Sequence, residues 1–106
     1  MPDFDLDQLA QIIAERASAG GGKSYTRKLL DEGVQKCAKK LGEEATETVI
    51  AAIAGDKPAL VAESADLLYH LLVVLEARGV KLADIHAELE RRTAQSGLEE
   101  KASRKS

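Results

Sequence analysis

The sequence contains no tryptophan, one cysteine and very few aromatic residues. Phe4, Tyr25 and Tyr69 are its only aromatic side chains, so it lacks the rings on which proteins stack single-stranded nucleic acid. A formal net charge of −3 argues against the basic surface that attracts polyanions or anionic lipids. We therefore expect no nucleic-acid partner and no membrane partner.

The single cysteine, Cys37, excludes an internal disulfide and a zinc site built from several thiolates of one chain. We interpret Cys37 as a small core residue. The N-terminus carries acidic residues where a secretory signal carries basic ones, and no apolar run reaches the roughly 18 residues that span a bilayer. These absences predict a cytoplasmic protein.

What is present is the composition of a soluble domain, with 44% hydrophobic and 31% charged residues. A chain of 106 residues is long enough for one core and too short for two ordinary ones. Its apolar residues recur at helical spacing, without the alternation of strands. We predict an all-α bundle of four to five helices over residues 1–95 and a polar tail over residues 96–106.

Start and stop signals predict helices over about 5–17, 24–33, 34–54, 58–78 and 82–94. The glycine-rich stretch 20–23 lacks the spacing of a Walker motif and a preceding strand, so we interpret it as a flexible connection. Ser24 or Thr26 is the predicted cap of the short second helix. The apolar stripe of the 34–54 helix consists of Val34, Cys37, Ala38, Leu41, Ala45, Val49 and Ala52.

The 58–78 helix is apolar around its whole circumference, apart from a few polar residues. Such a helix has to be surrounded, and a chain of this length offers few helices to surround it. We therefore expect a homodimer whose interface uses this helix. The alternative is a monomeric bundle with the 58–78 helix at its centre.

Two acidic pairs interrupt the long helices: Glu44 with Glu47, and Glu63 with Asp66. Residues three apart on a helix lie about 60° from each other, so each pair occupies one face. The fifteen residues between Glu47 and Glu63 allow one helix to end and the next to return antiparallel. The two acidic pairs are therefore predicted to face each other.

Four carboxylates held together repel one another unless a cation neutralises them. Mg²⁺ is the expected cation, because it prefers an octahedral shell of about six oxygen ligands. Zinc would call for His or Cys ligands, and the Glu-x-x-His pattern of di-iron bundles is absent. The alternative is that the acids are solvated surface charges. His70 is either a buried, hydrogen-bonded residue or part of the site.

The stretches "SYTRKLL", "KKLGEEATE", "VIAAIAGD" and "ESADLLYHLLVVL" occur in this order between Ser24 and Ala94. They resemble the phosphoribosyl-ATP pyrophosphohydrolases, a family of the all-α pyrophosphohydrolases of MazG type. The resemblance implies a homodimer and a Mg²⁺-dependent cleavage of phosphoribosyl-ATP to phosphoribosyl-AMP and pyrophosphate, the second step of histidine biosynthesis. By position, it implies that Glu44, Glu47, Glu63 and Asp66 bind the metal.

The chemistry of the residues agrees with this resemblance. Bound Mg²⁺ neutralises a triphosphate and lowers the pKa of a bound water. Glu43 or Glu47 is the candidate base for that water, and the sequence does not choose between them. The candidate phosphate-binding residues are Lys40 first, Lys36 second, and then Lys23, Ser24 and Lys28. Tyr25 either contacts the substrate or packs in the fold.

Two other functions remain open from the sequence. The same metal site would serve a housecleaning pyrophosphohydrolase that acts on non-canonical or deoxynucleoside triphosphates. A helical dimerisation module would use the acids only to bind a structural cation.

Overall fold

The computed structural model describes residues 3–18 and 24–94, and these residues form five α-helices and no strand. The helices are α1 (Leu6–Ser18), α2 (Tyr25–Asp31), α3 (Val34–Ala54), α4 (Lys57–Ala77) and α5 (Leu82–Thr93). The predicted all-α class is confirmed, and most of the predicted helix limits differ by only one or two residues. The predicted connection at 20–23 and the predicted tail at 96–106 lie outside the described residues.

The start of α2 distinguishes between its two predicted caps. Ser24 is the N-cap, and its hydroxyl accepts a hydrogen bond from the backbone N–H of Arg27 at 3.3 Å. Thr26 is instead buried, and its hydroxyl is hydrogen-bonded to the hydroxyl of Tyr69 on α4. At the other end of α2, Gly33 has a φ of 98°, which a residue with a side chain rarely adopts. The chain therefore changes direction at this glycine before α3 begins.

A short turn joins α3 to α4. The carboxylate of Asp56 caps α4 by accepting a hydrogen bond from the N–H of Ala59 at 2.9 Å. At Gly55 a Cβ atom would lie 2.9 Å from the carbonyl oxygen of Ala51, so the turn leaves no room for a side chain. Consequently α3 and α4 pack against each other more extensively than any other two helices described.

The core lies where α1, α2, α3 and α4 meet. Its buried residues are Ile13, Leu29, Cys37, Leu72 and Val73. The thiol of Cys37 donates a hydrogen bond to the carbonyl oxygen of Leu29 at 3.2 Å. The prediction that Cys37 is a small core residue is confirmed. In contrast, α5 contributes no buried residue to this core.

The apolar stripe of α3 is only partly buried. Cys37 is covered, whereas Val49 is 56% exposed and Ala38 and Ala52 are also exposed. Within this single chain, the stripe residues Leu41 and Ala45 are half-buried, and the residue that is buried in the second half of α3 is Ala51, which is not part of the stripe. Helical periodicity identifies an apolar stripe, but it does not identify the neighbour that covers the stripe.

The apolar circumference of α4 is also incompletely covered by the described chain. Val61 is 69% exposed, and Leu68 and Leu71 are exposed as well. On α3, Ile50 and Ile53 are 58% and 82% exposed. We call these five residues, together with Val49, the exposed apolar surface of α3 and α4.

The expectation about bilayer-spanning segments needs a correction. By length and composition, Lys57–Ala77 is apolar enough to cross a membrane, because an 18-residue window of it holds at most two charged residues. Core helices of soluble proteins meet the same criterion, so this is weak evidence for a membrane span. The acidic residues of α4 are Glu63 and Asp66, which were singled out from the sequence, and Glu76 near its C-terminal end.

Candidate metal centre

Three of the predicted acidic residues come together between α3 and α4. One carboxylate oxygen from each of Glu44, Glu63 and Asp66 can be chosen so that all three lie within 4.8 Å of one another. Glu44 and Glu63 are half-buried, and Asp66 is exposed. Helical spacing places Glu63 and Asp66 on one face of α4, and the short turn at 55–56 brings that face to Glu44. We call these three residues the acidic triad.

The other two candidate glutamates lie outside the triad. Glu47 is exposed, and it lines a shallow pocket together with Glu63 and Ile50. Its charge is nevertheless close enough to contribute to the raised pKa of Glu44. Glu43 is exposed too, and its carboxylate pairs with the ammonium group of Lys40 at 3.6 Å. The structure therefore associates Glu47, rather than Glu43, with the triad.

The electrostatics of the triad favour a bound cation. Burial raises the pKa of Glu44 above the usual value of a glutamate, and the charges of Glu47, Asp66 and Glu63 raise it further. The Oε2 atom of Glu44 is buried and has no hydrogen-bond partner among the described residues. A buried carboxylate oxygen without a partner costs free energy, which a cation would offset. The all-oxygen donor set fits Mg²⁺ in ligand type.

His70 lies next to the triad, and only one of its two ring nitrogens has a hydrogen-bond partner among the described residues. The residue is 6% exposed, and its Nδ1 lies 2.8 Å from the carbonyl oxygen of Asp66. A carbonyl oxygen can only accept, so Nδ1 carries a hydrogen. Within the described chain this buried Nε2 has no partner. Of the two interpretations left open by the sequence, His70 is thus buried and hydrogen-bonded, with a second nitrogen still unsatisfied.

Thr48 is a residue near the triad that the sequence analysis missed. Its hydroxyl lies 2.8 Å from the carbonyl oxygen of Glu44 on the same helix and 3.1 Å from that of Glu63 on α4. One available signal was its position, since Thr48 follows Glu44 by four residues and so lies on the same face of α3. The sequence does not show that the same hydroxyl also reaches α4.

Three rings form a small group beside the triad. Tyr25 and Tyr69 are nearly parallel, with centroids 6.3 Å apart, and His70 meets Tyr69 edge-on at 5.0 Å. The hydroxyl of Tyr69 is held by Thr26, whereas Tyr25 is 50% exposed. An exposed aromatic ring therefore lies close to His70, and His70 is hydrogen-bonded to the backbone of Asp66.

The candidate phosphate-binding residues are dispersed over α2 and α3. Ser24 uses its hydroxyl as the cap of α2, and Lys28 is exposed on that helix. Lys40 lies about one turn before Glu44 on α3 and Lys36 about two turns before it, and both are half-buried. Among the described residues, only Lys40 of the three lysines forms an ion pair. Lys23 lies outside the described residues.

The fold and the triad define a class: all-helical proteins with a cluster of carboxylates between two packed helices. Comparison with known families then identifies the particular group. The family described as "Phosphoribosyl-ATP pyrophosphohydrolase" matches residues 6–93. The chain belongs to the phosphoribosyl-ATP pyrophosphohydrolase family.

Individual relatives agree with this assignment over nearly their whole length. The chain is 63% identical over 105 residues to "Phosphoribosyl-ATP pyrophosphatase 1" of Bradyrhizobium diazoefficiens, covering 99% of both chains. It is 63% identical over 99 residues to "Phosphoribosyl-ATP pyrophosphatase" of Azorhizobium caulinodans, covering 93% of this chain and 91% of the relative. For "Phosphoribosyl-ATP pyrophosphatase 1" of Rhodopseudomonas palustris the identity is 56% over 105 residues, covering 99% and 98%.

Proposed function

We propose that this protein hydrolyses phosphoribosyl-ATP to phosphoribosyl-AMP and pyrophosphate in a Mg²⁺-dependent reaction of histidine biosynthesis. The observation that carries the proposal is the acidic triad, whose carboxylate oxygens approach within 4.8 Å in a member of this family. The relatives' names support the substrate, and the donor set supports the metal. We place the activity in one cytoplasmic domain over residues 1–95.

In this proposal Glu44, Glu63 and Asp66 hold Mg²⁺, and Glu47 is available as a fourth ligand. The proposed arrangement has α3 and α4 running antiparallel. It is supported by the short turn between the helices and by contacts that join Thr48 to Glu63 and Glu44 to Asp66. When bound, Mg²⁺ supplies charge neutralisation for the triphosphate and acidifies a bound water.

The role of general base in this reaction falls to a residue outside the triad. We assign the role of general base to Glu47, because its charge is felt at Glu44 while its own carboxylate is outside the triad. An exposed carboxylate beside the site can accept the proton of the attacking water. Glu43 is a poorer candidate, since its carboxylate already pairs with Lys40.

Phosphate oxygens are bound on the side of α3 that carries Lys40 and Lys36. The ammonium group of Lys40, one turn before Glu44, forms an ion pair with Glu43. Positive charge at this position would stabilise the negative charge that develops on the departing pyrophosphate. Ser24, the N-cap of α2, and Lys28, in the last turn of α2, are assigned to the same substrate. The exposed ring of Tyr25 offers a stacking surface for the substrate's base, an interaction worth about 1–3 kcal/mol.

We further propose that the protein is a homodimer. The exposed apolar surface of α3 and α4 supports this, because side chains such as Ile53, which is 82% exposed, would otherwise contact water. Glu63 and Asp66 lie on the same helix as part of this surface, so dimerisation and the metal centre share α4.

The test is pyrophosphate release by purified protein, with and without Mg²⁺, from phosphoribosyl-ATP and from a panel of ordinary, deoxy and non-canonical nucleoside triphosphates. We expect release from phosphoribosyl-ATP only when Mg²⁺ is present, and much slower release from the panel. Rapid turnover of a free triphosphate without turnover of phosphoribosyl-ATP would contradict the proposed substrate and favour a housecleaning enzyme.

A further inference from the structure

We propose that Thr48 is a positioning residue for the cation centre. Its hydroxyl links the backbone of Glu44 on α3 to the backbone of Glu63 on α4 and so fixes the distance between their carboxylates. This inference rests on the proposed function, since it concerns the residues assigned to Mg²⁺. It adds a residue that has no carboxylate and does not itself bind the metal.

The contacts of the hydroxyl show how the link is made. The Oγ1 atom of Thr48 lies 2.8 Å from the carbonyl oxygen of Glu44 and 3.1 Å from that of Glu63. Each carbonyl also accepts the usual helical N–H four residues later, so the hydroxyl occupies its second lone pair. The single hydroxyl hydrogen is therefore shared between two acceptors on two helices.

Within α3 and α4 as described, no other side-chain hydrogen bond joins the two helices. The remaining contact between α3 and α4 is side-chain packing, which lacks the distance and angle preferences of a hydrogen bond. The bond formed by Thr48 lies at the level of the triad, because its acceptors are the carbonyls of two triad residues. The bond therefore controls the separation of α3 and α4 at the level of the acidic triad.

The separation between α3 and α4 matters because of the geometry that Mg²⁺ requires. The ion requires near-ideal octahedral geometry with ligand distances of about 2.0–2.1 Å, so it tolerates less displacement than a larger cation would. Ligand oxygens contributed by two helices meet that requirement only if the helices keep a fixed separation and axial offset. Loss of the link at Thr48 is expected to weaken Mg²⁺ binding even though every carboxylate is retained.

The chain provides a matched control on the same helix. Thr46 is exposed, and its hydroxyl donates to the carbonyl oxygen of Gly42 on its own helix at 3.2 Å, without a hydrogen bond to the described residues of α4. Thr46→Val removes the same hydroxyl and introduces the same side chain in the same helix. Any effect on helix propensity is thus shared between Thr46→Val and Thr48→Val, while the effect on the link is not.

The experiment is calorimetric titration of the metal-free full chain with Mg²⁺, combined with thermal unfolding at zero and saturating Mg²⁺. The variants are Thr48→Val, Thr48→Ala, Thr48→Ser and Thr46→Val. We expect Mg²⁺ affinity to fall about tenfold in the two variants of Thr48 without a hydroxyl, a loss typical of residues that orient metal ligands. Thr48→Ser and Thr46→Val should keep the affinity of the wild type.

The outcomes separate the inference from the proposed function. If the wild type binds Mg²⁺ and both hydroxyl-free variants bind it equally well, the role of Thr48 is refuted and the proposed function stands. An equal loss of melting temperature with and without Mg²⁺ would indicate a purely structural role and would also refute it. If the wild type binds no Mg²⁺, the proposed metal site itself is wrong. Because alanine is a strong helix former, Thr48→Ala keeps the test valid even if valine disturbs α3.

Discussion

Glu44 and Asp66 belong to different helices, yet a carboxylate oxygen of one lies within 4.8 Å of a carboxylate oxygen of the other. Two like charges at this separation are unfavourable, and Glu63 adds a third within the same distance. The pKa of Glu44 is raised accordingly. Burial is the largest cause of this shift, and the charges of Glu47, Asp66 and Glu63 add to it. The same arrangement supplies three oxygen donors, the ligand type that a hard divalent cation prefers.

Removing one charge from the triad should abolish catalysis without unfolding the protein. We expect Glu44→Gln and Glu63→Gln to reduce pyrophosphate release at least ~100-fold, because losing a metal ligand should cost no less than losing a residue that orients one. Glu90→Gln, on the exposed face of α5, is the matched control and should retain full activity. Full activity in the two triad variants would favour a non-catalytic role for the acids.

The pH dependence of stability should reveal the raised pKa of Glu44 in the metal-free protein. A carboxyl group whose pKa is higher in the folded state favours folding while it is protonated. That contribution is complete below the usual pKa of glutamate and is lost as the pH rises through the raised value. The melting temperature of the wild type, relative to that of Glu44→Gln, should therefore fall as the pH increases over this interval.

Parallel melting curves for the two proteins across that interval would contradict the prediction. Saturating Mg²⁺ provides a second check, because a bound cation stabilises the ionised carboxylate and should remove the relative fall. The comparison with Glu44→Gln cancels the contribution of exposed groups such as Glu88, whose pKa is lowered to about 2 by Arg91 and Arg92.

Two neighbouring glutamates can be distinguished by their kinetics. Glu47→Gln should reduce the rate of pyrophosphate release by roughly 10²–10⁴-fold, the usual contribution of a general base. Glu43→Gln should have a smaller effect, because this residue pairs with Lys40 and does not belong to the triad. Measurement of kcat at saturating Mg²⁺ checks both variants. A larger loss in Glu43→Gln would reverse the assignment of the base.

The dimer can be tested through the exposed apolar surface. The wild type should have a molar mass in solution of twice the 11.4 kDa of one chain. Ile53→Asp should shift the mass towards that of one chain, because it would bury a charge in the interface. Phe4→Asp, at a 70% exposed position before α1, serves as the control and should remain dimeric. Light scattering after gel filtration measures all three, and a monomeric wild type would refute the dimer.

The parts of the structure that the sequence predicted are those set by local geometry. The spacing of Glu63 and Asp66 fixes their common face on α4, and the short turn with Gly55 limits where α3 can lie. Helix limits follow from caps such as Asp56, whose side chain bonds to the N–H of Ala59. These features depend on residues close together in the chain, so single-sequence reasoning finds them.

The features that could not be predicted from the sequence depend on how one helix packs against another. The bond from Thr48 to Glu63 requires a particular axial offset between α3 and α4, which the residue count between them does not determine. Glu47 falls outside the triad for a similar reason, since the rotation of α3 about its own axis decides which of its glutamates faces Glu63 and Asp66. The exposure of Val49 depends on which face of α3 is covered by α4.

The most direct test of the central claim is a crystal structure of the protein soaked with Mn²⁺, used as a substitute for Mg²⁺ that anomalous scattering can locate. The account predicts one or more anomalous peaks in contact with carboxylate oxygens of Glu44, Glu63 and Asp66 together. It would be contradicted by the absence of a peak there, with those side chains directed into solvent, or by peaks found only on other surfaces of the molecule.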